Sequence, residues 1–372
     1  MIDRSRHTIR FDWTLLIAVL ALVAVGLVAV YSATYSMGGG RHSLFMKQVY
    51  WLILGGGVTL LSLFFDYRRL ERWGYVLYGA SVVMLVATLA VGRSGMGAQR
   101  WLPLGPLSFQ PSEVVKLFLV VTLAKYFTED GITDGHSLRQ LIRPFLLMLI
   151  PVGLVVKQPD LGTALMFIFV FCSVALVSGV RLKSLFALGV TAALSVPLLW
   201  GFFWRHLKDY QKKRIEVFIS PDSDPSGAGY HIIQSKIAIG SGGLTGKGFL
   251  NGTQSQLSFL PERHTDFIFS VISEEWGFVG SIVVLGLYLF IILWGLETAY
   301  KAKDRFGALL AVGAVSMISF YVIINVGMTL GIMPVVGVPL PLVSYGGTAA
   351  VTTLLAVGIL LNVNMRRFKL FY

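Results

Sequence analysis

The sequence predicts an all-α integral membrane protein of about ten transmembrane helices, with a large extracytoplasmic loop between the seventh and eighth. Three observations predict it. Of 372 residues, 55% are hydrophobic and only 13% charged, against roughly 25% charged in ordinary soluble domains. Mean hydropathy is +0.73. Apolar runs of bilayer-spanning length, about 17 to 25 residues, recur along the chain and leave no stretch for a separate soluble core. The chain therefore reads as one polytopic membrane domain over residues 1–372.

The spans fall at about 13–34, 45–65, 73–91, 112–127, 143–156, 161–179, 184–203, 276–297, 306–330 and 345–363. The first, "TLLIAVLALVAVGLVAVYSA", is too long for the apolar region of a cleavable signal peptide, and another span follows closely, so it is expected to remain as an anchor. Lys and Arg in short loops mark the cytoplasmic side. With the N-terminus inside, Arg4, Arg6, Arg10, Arg68, Arg69, Arg72, Lys125, Arg139, Arg143, Arg181, Lys183, Lys301, Lys303, Arg305, Arg366, Arg367 and Lys369 share that side. The opposite short loops hold only Arg41, Lys47, Arg93, Arg100 and Lys157. Both termini are thus expected in the cytoplasm. Most of the net charge of +12 becomes topological, matched to anionic headgroups, and calls for no nucleic-acid partner.

The single Cys172, inside "LMFIFVFCSVALV", forms no intrachain disulfide and reads as a buried structural thiol. The six histidines show no metal-ligand spacing.

The outer loop, about residues 204–265, runs from the basic "WRHLKDYQKKRIEVF" through "GSGGLTGKGFLNG" to "FLPERHTDFIFS". Its "SGGLTGKG" fails as a phosphate loop, because Ser241 stands where Gly is needed and Gly248 where Ser or Thr is needed. A flexible or re-entrant glycine segment is expected instead.

Ionisable residues at the rim of a span are costly to desolvate, so each marks a partner or a function. In "QRWLPLGPLSFQPSEVVK", Pro111 starts a helix whose first turn carries Glu113 and Lys116 on one face. The pair reads either as a structural ion pair or as a polar mouth where Lys116, with Arg100 and Gln110, meets an anionic group. Asp160, before the sixth span, reads as a helix N-cap or as a group holding a hydroxyl or cation in the same cavity. The stretch Glu262, Arg263, His264 and Asp266 brings a carboxylate, an imidazole and a guanidinium to headgroup level. Residues 265–275 are expected to form a short amphipathic interfacial helix with Asp266, Ser270 and Ser273 along one face. Last, Asn325 lies inside a span, and Gly331, Pro334, Gly337, Pro339 and Pro341 interrupt helix before "SYGG", with Ser344, opens the final one. Broken backbone at membrane depth needs protein or a watery cavity around it, and such breaks often frame a site.

Together, "GAQRWLPLGPLSFQPSEVVK", "FLPERHTDFIFSVISEEWG" and "NVGMTLGIMPVVGVPLPLVSYGGTA" resemble the SEDS family of shape, elongation, division and sporulation proteins over nearly the whole chain. The Arg of "PERHTDF", the "PVVGVPLPL" stretch and the short termini are more similar to its elongation branch than to its division branch. Trp276 stands where a smaller aliphatic residue is expected. The resemblance implies a ten-span peptidoglycan glycosyltransferase of the bacterial cytoplasmic membrane that polymerises lipid II on the outer face. It further implies a class B penicillin-binding protein as transpeptidase partner, among other proteins of the elongation machinery.

If an α-linked diphosphate donor gives a β-linked glycan, the anomeric centre inverts in one displacement and one base suffices. Asp266 is the expected general base, a role typically worth about 10²- to 10⁴-fold in rate. Lys116, Arg100 or a divalent cation would neutralise the departing diphosphate. Glu113, Gln110, Asp160, His264 and Ser344 are expected to orient substrate or hold cations; no cofactor is otherwise required. A lipid-linked precursor flippase and a non-catalytic scaffold of the elongation complex also fit broken helices and buried charges.

Overall fold

The computed structural model describes residues 11–367, apart from 38–39, 96–97, 105–106, 133–134, 207–208, 225–226 and 258. Arg4, Arg6, Arg10 and Lys369, used above for orientation, lie outside the described residues.

Helices α1 (Trp13–Thr34), α2 (Gly40–Phe64) and α3 (Arg68–Val91) come first. A small antiparallel sheet follows, β1 (Arg93–Gly95), β2 (Ala98–Leu104) and β3 (Leu107–Phe109), in the order β1-β2-β3. Then come α4 (Pro111–Glu129), α5 (Leu138–Lys157), α6 (Leu161–Gly179) and α7 (Leu182–His206). The long loop carries α8 (Asp209–Ile219), α9 (Ala228–Ser241) and α10 (Thr253–Gln256). The chain closes with α11 (Ile268–Tyr300), α12 (Arg305–Thr329) and α13 (Gly347–Met365).

Eight helices among the described residues are long and apolar enough to cross a membrane: α1, α2, α3, α5, α6, α11, α12 and α13. The expected fourth and seventh spans coincide with α4 and α7. Helix α4 carries Glu113, Lys116, Lys125 and Glu129, and most of its residues are buried in protein rather than turned to lipid. Helix starts follow local chemistry. Pro111 opens α4, where its missing N–H costs nothing. Asp12, Asp160 and Asp304 cap α1, α6 and α12 by accepting the N–H of Leu15 (3.1 Å), Thr163 (3.2 Å) and Gly307 (2.7 Å). Helix α12 runs through the centre, with Leu310, Ala311 and Ala314 fully enclosed.

The two ends of the bundle differ. At one, Arg68 pairs with Asp304 at 3.0 Å, Tyr67 donates to the same carboxylate at 2.7 Å, and Arg305 donates to the Ile132 and Ser178 carbonyls at 3.1 and 3.0 Å. Helix α11 runs from the opposite end, where Asp266 precedes it, down to this one.

The strands between α3 and α4 were not anticipated from the sequence: β2 pairs Leu102 with Phe109 and Leu104 with Leu107. Two expectations are corrected. Residues Ile268 to Glu275 are buried on all faces, so this segment is core rather than an interfacial amphipathic helix. Its serines are used internally: Ser270 shares a 2.6 Å hydrogen bond with Ser235 of α9, and Ser273 donates to the Phe269 carbonyl at 2.8 Å. Cys172 is exposed on α6 rather than buried, since an apolar run in a membrane helix turns some residues to lipid.

Candidate active site

Asp266 is gripped through its backbone. Its N–H donates to the Glu262 carbonyl at 3.1 Å, and its carbonyl accepts from the Asn325 side-chain amide at 2.8 Å. The same Asn325 nitrogen donates to the Val338 carbonyl at 2.7 Å. Ser344 Oγ donates to the Thr265 carbonyl at 2.6 Å and accepts from Leu340 N–H at 2.8 Å. Tyr345 N–H donates to the His264 carbonyl at 2.8 Å. Three consecutive carbonyls are thus held by three residues of the C-terminal third. Gln48 on α2 braces that clamp, donating to the Ser344 carbonyl at 3.2 Å and accepting from Gly346 N–H at 3.1 Å.

The Asp266 carboxylate itself accepts no hydrogen bond from a described residue. It is half-buried, and the backbone of the broken segment comes up against it: a Cβ on Gly337, where φ is +72°, would stand 3.4 Å from Oδ2. Burial pushes this carboxyl up from 3.8 to about 6, the Glu262 charge adds to the rise, and Arg214 on α8 and Arg100 on β2 oppose it. A rigid backbone therefore presents an unencumbered carboxylate that is ionised at neutral pH and more basic than usual.

The neighbouring polar residues are mostly committed elsewhere. Arg263 is buried and donates to the Ala33 carbonyl and Ser36 Oγ, each at 2.7 Å, fastening the loop to the end of α1. His264 packs beside Tyr345 with ring centroids 5.7 Å apart, its buried Nδ1 has no hydrogen-bond partner, and burial pushes it below the ordinary imidazole range. Arg100 donates to the Pro159 carbonyl and faces Asp160 at 3.7 Å. Asp160 is fully engaged as a cap, accepting also from Thr163 Oγ1 at 2.9 Å. Gln110 donates its N–H to Thr348 Oγ1 at 3.3 Å.

Glu113 and Lys116 lie in a closed network rather than at a polar mouth. Their charged groups are 2.5 Å apart, and the Lys116 side chain is 1% exposed. Lys116 also donates to the Tyr321 hydroxyl, which donates to Glu113 Oε2 at 2.7 Å, while Thr352 Oγ1 reaches the same oxygen at 3.2 Å. The network ties α4, α12 and α13 together inside the bundle. Removing two charges from lipid by pairing them inside protein is the physical reason for it.

The glycine segment has an equally definite role. Helix α11 breaks at Gly277, with φ +66° and ψ −161°. The segment after α9 docks into this break. Lys247 and Gly248 N–H donate to the Glu274 and Glu275 carbonyls at 3.0 and 2.9 Å, and Phe278 and Val279 N–H donate back to Gly243 and Leu244 at 2.9 and 3.1 Å. A Cβ on Gly246 would lie 2.1 Å from the Glu275 carbonyl oxygen, so only glycine admits this approach. The fully buried Glu274 carboxylate locks the arrangement, accepting from Lys247 Nζ and Gln254 N–H at 2.9 Å and from Ser255 N–H at 3.2 Å. "SGGLTGKG" thus satisfies the broken backbone of the helix that Asp266 precedes.

Among the described residues, no group of three or more His, Cys, Asp or Glu is placed to hold a metal ion. A cavity of about 320 Å³ opens beside α8, lined by Lys212, Lys213, Glu216 and Asp224, but it does not include Asp266. Gln48 was not singled out above, and Asn325 and Glu262 were named there without an individual role. Asn325 and Gln48 carry the signal of polar residues within apolar runs.

The chain as a whole is similar to known proteins. The family model described as "Cell cycle protein", that of FtsW, RodA and SpoVE, matches residues 12–369. Peptidoglycan glycosyltransferase MrdB of Escherichia coli (strain K12) is 42% identical over 359 residues, 96% of this chain and 95% of its own. A chain from the solved structure of a peptidoglycan synthase complex, studied for the coordination of polymerization and crosslinking, is 38% identical with a TM-score of 0.81, covering 96% of this chain and 99% of that one. The crystal structure of the rod shape determining protein RodA of Thermus thermophilus is 34% identical with a TM-score of 0.71, covering 96% and 98%. With the match extending from the start of α1 past the end of α13, the chain belongs to the FtsW, RodA and SpoVE family of cell cycle proteins.

Proposed function

We propose that this protein is a peptidoglycan glycosyltransferase of the bacterial cytoplasmic membrane, polymerising lipid II into glycan strands for cell elongation with Asp266 as general base. The observation that carries the reading is the Asp266 carboxylate, held by its backbone on both sides yet accepting no hydrogen bond from a described residue. The Asp266 carboxylate takes the proton of the acceptor sugar hydroxyl as its oxygen attacks the anomeric carbon. The bond from that carbon to the lipid-borne diphosphate breaks, and the diphosphate leaves as an anion. Arg100 and Arg214, whose fields already reach Asp266, neutralise it. Asn325, Ser344 and Gln48 keep the base in register, while Lys116 and Glu113 hold the helices together.

The end bearing Arg68, Arg305 and Arg366 faces the cytoplasm in this reading, by the distribution of Lys and Arg, and both termini lie there. Asp266 then faces outward, where the lipid-linked substrate presents its headgroup. A class B penicillin-binding protein is the proposed transpeptidase partner; support comes from the relative solved within a peptidoglycan synthase complex.

The test is product formation in one compartment. Purified protein in detergent with labelled lipid II should lengthen glycan, and the Asp266→Ala variant should not. A flippase makes no bond in detergent, so unchanged lipid II with folded protein would reject the enzyme reading.

A further inference from the structure

We propose that Glu262 is a positioning residue for Asp266: its left-handed turn fixes the Asp266 backbone and carries a second carboxylate on the same turn. This rests on the reading of Asp266 as the base and assigns the residue that tunes it.

The turn is unusual. Glu262 has φ +49°, a left-handed conformation that strains a residue with a side chain and costs glycine almost nothing. Its carbonyl accepts the N–H groups of Thr265, Asp266 and Phe267 at 3.2, 3.1 and 3.3 Å. Its carboxylate folds back over the same turn to accept from Thr265 Oγ1 at 3.1 Å. One residue therefore fixes the Asp266 backbone and carries a second carboxylate on the same turn. A glycine here would relax the backbone but remove the charge, so a strained glutamate points to a use for its side chain.

The charged groups that act on Asp266 are Glu262 on its own turn, Arg214 on α8 and Arg100 on β2. His264, and His231 on α9, which stacks on Phe267 at 5.9 Å, also lie in the field of Glu262. Burial holds both imidazoles below their ordinary range, which leaves Glu262 as the anion opposing the two arginines. Without it, Arg100 and Arg214 would stabilise the Asp266 carboxylate and weaken it as a base.

The test uses the full-length protein in detergent with two readouts. The first is the pH dependence of the unfolding temperature, measured for wild type, Glu262→Gln and Glu262→Gly, each with and without Asp266→Asn. Asp266→Asn should stabilise wild type by an amount that grows with pH and levels off near pH 6. In both Glu262 variants this gain should be smaller and level off at lower pH; the same plateau at the same pH in both would overturn the proposal. Glu262→Gly keeps the test intact should Glu262→Gln fold poorly, because glycine relaxes the turn. The second readout is the acid limb of the polymerisation rate with labelled lipid II. It should move to lower pH in step, with a plateau rate within about tenfold of wild type rather than the 10²-fold or greater loss expected without the base. A shift in unfolding with no shift in rate would instead reject Asp266 as the base, and with it the catalytic part of the proposal.

Discussion

Replacing Lys116 with methionine separates a structural ion pair from a phosphate-binding lysine. Its ammonium is enclosed between Glu113 and Tyr321, with the side chain 1% exposed and Glu113 5%. Deleting one partner of such a pair leaves the other charge buried and uncompensated, which costs about 3–5 kcal/mol, whereas replacing both is often near neutral. Two further hydrogen bonds, from Tyr321 and Thr352, end on the stranded carboxylate and hold Glu113 in place, so it has no route to solvent. Lys116→Met should therefore lower the unfolding temperature in detergent by several degrees and reduce the yield of folded protein. Adding Glu113→Gln to it should recover most of that loss. The surviving folded fraction should keep a near-normal KM for lipid II. A Lys116→Met protein that melts like wild type but shows a KM raised tenfold or more, with no recovery in the double variant, would refute the structural assignment and restore Lys116 as a substrate ligand.

Three other outcomes follow from the same geometry. Asp266→Asn should stabilise the fold. The folded carboxyl lies at about 6 against an ordinary 3.8, and that rise converts to about 3 kcal/mol as an upper figure. Because the folded value is raised, the cost is absent below about pH 4, develops between about pH 4 and 6 and is complete above, so unfolding temperatures of the two proteins should converge in acid. Asn325→Leu strips the amide from the part-buried Asp266 carbonyl and the buried Val338 carbonyl, at up to about 1–3 kcal/mol each. It should lower kcat more than it raises KM, as read by initial rates across lipid II concentrations. Gly246→Ala forces a Cβ to within 2.1 Å of the Glu275 carbonyl oxygen at a φ of +82°. It should cost about 3 kcal/mol or more and appear as loss of folded protein by size-exclusion chromatography.

Much of the fold was legible in the sequence because a bilayer imposes length and apolarity on each span. The apolar cores of α1 and α6 coincide with their expected runs, 13–34 and 161–179. Segments whose state depends on distant contacts were not legible. Residues 265–275 look amphipathic in isolation, yet Ser270, Ser273, Glu274 and Glu275 each have a buried partner drawn from α9, α10, α1 or their own helix. The glycine segment was recognisable as special, but its docking into the α11 break could not be read before Gly277 was seen to interrupt the helix. Cys172 was misplaced because periodicity is uninformative where lipid and core are equally apolar.

At the site, Asp266 stood out as a carboxylate at headgroup level, and its presentation gives physical content to that signal. The surrounding residues sort more narrowly than the sequence reading left them: Ser344 holds the Thr265 carbonyl, and of the two roles open for Asp160 the structure shows the helix cap. Arg100 keeps a place near Asp266 through β2, an element that hydropathy does not predict.

The most direct measurement is single-turnover glycan polymerisation by purified wild-type and Asp266→Asn proteins at saturating lipid II, with substrate binding measured in parallel. The account predicts bound substrate in both and a rate about 10²- to 10⁴-fold lower in the variant. A variant that binds lipid II and polymerises within a few-fold of wild type would contradict it.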